Sequence, residues 1–149
     1  EDTEDVLSES SKSLENAIAY AEKIISQAIA LRDQNSGNKN RSILKTAVDF
    51  IDRHYMEEDM SLNKAANAAN VSANHFSALF SQNMGQTFIE YLTNLRMNKA
   101  KEYLRCTSMR SSEIAGEIGY KDAHYFSYLF KKTQGMTPSD YRKAREDKA

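Results

Sequence analysis

Ser72-Ala-Asn-His-Phe-Ser-Ala-Leu-Phe-Ser81 recurs fifty positions later as Asp122-Ala-His-Tyr-Phe-Ser-Tyr-Leu-Phe-Lys131. The match runs on through Gly85 and Gly135, Thr87 and Thr137, and Tyr91 and Tyr141. Upstream, Ala65-Ala66…Asn70 meets Ile114-Ala115…Gly119 at an offset of forty-nine. An internal repeat means one structural unit used twice. Within each copy the apolar residues fall at helical spacing, and a left-handed-tolerant residue, Asn70 or Gly119, separates a short helical stretch from a longer one. Each copy therefore reads as helix, tight turn, helix.

The punctuation around the copies supports that reading. Ser61 is a candidate N-cap for a helix to Ala69, and Ser72 caps the next. Thr87 with Glu90 forms a capping box opening a long helix to about Cys106. The second copy begins at Ser111 or Ser112, turns at Gly119, is capped by Asp122 and runs to about Thr133. Thr137-Pro138 then opens a last helix, with proline at the first position, where no amide donor is needed.

Working outward, residues 6–33 read as one amphipathic helix. Leu14, Ala21 and Ala28 form one seven-residue series and Ala17, Ile24 and Leu31 another, widened by Ile18 and Ile25. Such a seam either packs on its own domain or joins two copies in a homodimer through residues 6–33, and under three heptads leaves both readings open. Asn35-Ser-Gly-Asn-Lys-Asn40 reads as a linker. A helix over residues 41–55 follows, with Leu44, Ala47, Val48, Ile51 and Tyr55 on one face, and Glu57–Asp59 is a turn. The expected architecture is all-α: two helix-turn-helix subdomains, over about 41–86 and 107–145, joined by a linker helix over about 87–106. Residues 1–40 form an amphipathic helix and linker ahead of this domain at 41–149.

Composition limits the function. The chain has 149 residues, of which 40% are hydrophobic and 28% charged, with one proline and five glycines. No apolar run is long enough to span a bilayer, and no signal peptide opens the chain. Glu1 rather than Met stands first, so a fragment or processed product is expected. The lone Cys106 excludes an internal disulfide and fits a reducing compartment. The net charge of −1 averages unlike parts. Residues 1–39 hold four Lys/Arg against eight Asp/Glu, and residues 40–149 hold sixteen against thirteen. Catalysis finds no support. His54, His75 and His124 lie on separate elements without metal-ligand spacing, and no glycine-rich phosphate loop is present. No cofactor is expected.

In the longer helix of each copy, Phe76, Leu79 and Phe80, or Phe126, Leu129 and Phe130, share a core face. Opposite them stand Asn74, Ser77, Ala78 and Ser81 in copy one, and His124, Ser127, Tyr128 and Lys131 in copy two. These are either an ordinary solvated face or a surface that reads base edges. Asn pairs bidentately with adenine, Ser donates or accepts, and Ala meets a thymine methyl. Two such faces on one chain suit two successive major grooves.

The run Ile114-Ala115…Gly119-Tyr120…Asp122…Tyr125-Phe126…Phe130-Lys131-Lys132…Gly135-Met-Thr-Pro138…Tyr141-Arg142 resembles the signature of the AraC family of transcriptional regulators. Arg96-Met97…Ala100…Leu104 and the upstream copy resemble the rest of that DNA-binding domain, over about residues 42–145. The resemblance implies two helix-turn-helix units entering adjacent major grooves of double-stranded DNA, with the helix of residues 87–106 as connector. It implies base readers at Asn74, Ser77, Ala78 and Ser81, then at Ala123, His124, Ser127 and Tyr128. Phosphate contacts are implied at Arg96, Lys121, Lys131 and Lys132, with RNA polymerase as a further candidate partner. The chain also resembles the output end of YesN-type two-component response regulators, which carry a receiver upstream. That implies a cytoplasmic protein without membrane contact.

Overall fold

The computed structural model describes the backbone of residues 2–146 and the side chains of residues 14–144. Among the described residues seven helices follow one another: α1 (Asp2–His54), α2 (Leu62–Ala68), α3 (Ala73–Met84), α4 (Phe88–Cys106), α5 (Ser111–Glu117), α6 (Ala123–Gln134) and α7 (Pro138–Glu146). The described residues contain no strand. Contacts divide the chain into two units, Glu1–Ser42 and Ile43–Ala149.

The first unit is helical throughout its described residues. Leu14, Ile18, Ile24, Ile25 and Leu31 are all exposed on it. The expected linker at Asn35–Asn40 is a correction, because those residues are helical. The Asn, Ser and Gly content suggested a break, but no proline interrupts the amide ladder. A single Gly37 costs only about 1 kcal/mol in a helix interior. Once flanking turns exist, extending the helix through such a stretch is far easier than nucleating a new one.

The second unit has two cores. In the first, Ala47 and Ile51 of α1 meet Ala65, Ala66, Phe76, Phe80, Phe88 and Leu92. In the second, Met97, Ala100 and Leu104 of α4 meet Ile114, Ala115, Ile118, Phe126 and Phe130. Helix α4 thus gives one end to each core, which is why it must be long. At 1.5 Å per residue it spans roughly 28 Å. The paired aromatics have matching geometry, with ring centroids 5.4 Å apart for Phe76–Phe80 and 5.8 Å for Phe126–Phe130. Ala66 and Ala115 are 0% and 1% exposed, so any larger side chain would push the crossing helices apart.

The caps are local and made as the sequence reads. Ser61 Oγ accepts from Lys64 N, Ser72 Oγ from His75 N, and Asp122 Oδ1 from both His124 N and Tyr125 N. Thr87 and Glu90 close a full capping box. The two turns repeat as well: Asn70 N donates to Asn67 O and Val71 N to Ala66 O, as Gly119 N does to Gly116 O and Tyr120 N to Ala115 O. Asn70 has φ +57° and Gly119 φ +93°, both in the left-handed region.

Candidate nucleic-acid interface

Ser72 and Asp122 tie down the first turns of α3 and α6, and the core aromatics fix the rotation of each helix. What stays open is therefore set by the fold. In α3, Asn74, His75, Ala78, Gln82 and Asn83 are exposed, whereas Ser77 and Ser81 are half-buried. In α6, His124, Tyr125, Tyr128, Lys131, Lys132 and Thr133 are exposed, whereas Ala123 and Ser127 are half-buried. Ser127 Oγ donates to Ala123 O at 2.9 Å, so its proton is already committed.

The open stripe of each helix is thus turned away from the serines. It takes in residues that the periodicity left out, among them His75 and Gln82 in α3 and Tyr125 in α6. Spacing alone locates the side opposite the core, but not which flank a neighbouring helix covers. Their signal in the sequence was only their adjacency to Asn74, Ala78 and His124.

The four basic candidates separate. Lys131 and Lys132 are exposed and form no ion pair among the described residues, and Lys132 Nζ stands over the Tyr128 ring, 6.0 Å from its centroid. Lys121 is exposed but pairs with Glu58 at 2.9 Å. Arg96 is a correction. It is 6% exposed, and its guanidinium donates from Nε to Tyr55 O and from Nη2 to Glu57 O, each at 2.7 Å. Its Cζ sits 4.9 Å from the Tyr120 ring centroid. Burial holds its pKa below the usual arginine value, while Tyr120 acts the other way. With these partners it cannot reach a phosphate. Arg142 does a similar task in the second half, donating to Leu104 O at 3.3 Å and Met109 O at 2.6 Å.

Two open, hydrogen-bonding helices of one design, both held by α4, have counterparts among known proteins. A family model described as a helix-turn-helix domain matches residues 65–144. The chain belongs to the AraC-type helix-turn-helix family. It resembles the C-terminal domain of AraT, a response regulator from Geobacillus stearothermophilus, at 39% identity and a TM-score of 0.67, over 68% of this chain and 84% of that one. It also resembles the C-terminal domain of the two-component response regulator yesN from Fusobacterium nucleatum, at 33% identity and a TM-score of 0.64, over 66% and 95% of the two chains. The lactose operon transcription activator of Staphylococcus xylosus is 36% identical over 99 residues, which are 66% of this chain and 35% of that protein. The chain spans between 12% and 38% of the length of the first four curated relatives it matches. Sequence-specific DNA binding in transcription regulation is the role of this domain family, and residues 65–144 are such a domain.

Proposed function

We propose that residues 43–149 bind double-stranded DNA with α3 and α6 in successive major grooves on one face. The observation that supports this most is the pair of equivalent open stripes on one chain, held by a helix of roughly 28 Å against a duplex turn of about 34 Å. Asn74 and Ala78 read base edges from α3, with His75 and Gln82 beside them. His124 and Tyr128 read from α6, with Tyr125 beside them. Ser77, Ser81, Ala123 and Ser127 contribute from the half-buried flank. Lys131 and Lys132 hold phosphate, with Lys121 once it leaves Glu58. The role is binding rather than catalysis and needs no cofactor.

The likeness to two response-regulator C-terminal domains supports placing this unit at the output end of such a protein, in the cytoplasm, with a receiver elsewhere and RNA polymerase as a partner at the promoter. The exposed apolar stripe of α1 supports a second reading, a homodimer through residues 6–33. Helical continuity carries its two seven-residue series on to Asn35 and Asn38, and a seam Asn sets strand register in coiled coils. A chain lacking residues 1–35 then sediments as a monomer; unchanged sedimentation refutes the dimer.

Selection of bound duplexes from a random pool tests the main proposal. It should return two short conserved segments about one helical turn apart, with affinity falling steeply as salt rises. Binding without sequence enrichment would overturn it.

A further inference from the structure

Arg96 is the one charged side chain buried among the described residues, and its partners come from both halves of the second unit. Below it, Tyr55 O and Glu57 O belong to the turn that ends α1. Above it, Tyr120 belongs to the turn between α5 and α6, and its ring lies against the guanidinium. The backbone closes in beside them. A Cβ on Gly119 would stand 2.8 Å from Arg96 Nη2 and 2.8 Å from Met56 O, so the two turns touch with no room for a methyl group. At the rim, Lys121 reaches Glu58 at 2.9 Å. The turn at residues 55–59 and the turn at residues 119–121 therefore meet on one side chain carried by the middle of α4.

We infer that Arg96 is a positioning residue that sets the angle between the two helix-turn-helix units, and through it the base-pair spacing the chain accepts. Its planar guanidinium can donate to two carbonyls in fixed directions while offering its face to a ring, which an ammonium cannot do. Arg142 supplies an internal contrast. It also donates to two main-chain carbonyls, but Leu104 and Met109 lie in the second half with it, so it fixes one unit without addressing the other. The inference rests on the two-groove reading above, and its test separates the two.

The probe is a duplex selected by the unaltered protein from a random pool, alongside the same duplex with two base pairs inserted between the contacted segments. The insertion turns one segment by roughly 70° relative to the other. The unaltered protein should lose about tenfold or more in affinity, since a rigid pair must distort the DNA or release one head. Arg96→Lys should weaken binding to the original duplex and shrink the insertion penalty to about threefold or less, while Arg142→Lys keeps the full penalty. Tyr120→Leu removes the stacking partner alone and should also shrink the penalty, which carries the test if Arg96→Lys does not fold. A full penalty in both Arg96→Lys and Tyr120→Leu overturns the inference, as does its loss in Arg142→Lys. No insertion penalty in the unaltered protein overturns the two-groove reading and the inference with it.

Discussion

The open stripe of α3 presents Asn74, His75, Ala78 and Gln82, with no permanent charge, whereas α6 presents His124, Tyr125, Tyr128 and Lys132 at the corresponding places and adds an exposed Lys131 where α3 has the half-buried Ser81. Beneath those stripes the halves share the same features: paired phenylalanines, a buried alanine at the helix crossing, a capping oxygen and a left-handed turn residue. Packing tolerates little change in a close-packed interior, so duplication is preserved there, while the solvent-facing positions are free to diverge. The turns diverge for a third reason. Asn70 is exposed and keeps a side chain at φ +57°, but Gly119 lies buried against Arg96 and Met56 O, where only glycine fits. The two halves are thus equivalent in core, unequal at the DNA-facing surface and unequal where they touch.

That comparison can be broken first at the core. Phe76→Ala and Phe126→Ala should each cost about 3–5 kcal/mol, and by similar amounts, since both rings are fully buried. Urea denaturation measures both, and a much smaller loss in one would show that the cores are not equivalent. The turns come next. Gly119→Ala should cost more than about 2 kcal/mol through strain and overpacking, whereas Asn70→Gly should stay within about 1 kcal/mol. Equal costs in thermal melts would remove the asymmetry at the contact between halves. Then come the readers: Asn74→Ala and His124→Ala should each weaken the selected duplex by about 1–3 kcal/mol and relax preference at one position. Equal losses on random duplexes would mean that neither reads bases. The smallest effect is electrostatic. Replacing Lys131 and Lys132 together by alanine should lower the salt slope of binding by about 2, and Gln82→Ala should leave it unchanged.

The elements settled by short-range chemistry were legible in the sequence. Ser61, Ser72, Asp122 and the Thr87–Glu90 pair bond amides two or three residues away, so a reader of the chain meets donor and acceptor together. The core faces of α3 and α6 followed from helical period for the same reason. Arg96 was not legible as a buried group, because its carbonyl partners lie 41 and 39 residues away and a surface arginine has the same local sequence. Its basic character suggested phosphate; tertiary packing gave it a different use. The half-burial of Ser77 and Ser81 is likewise a matter of which neighbour covers a flank. At residues 35–40 local composition pointed the wrong way, since turn-favouring residues continue a helix that has no proline to stop it.

Methylation interference across a selected duplex tests the account at its centre. The account predicts two patches of major-groove interference about 10 base pairs apart on one face, with His124→Ala erasing part of one patch and Asn74→Ala part of the other. A single patch that both substitutions weaken would contradict it.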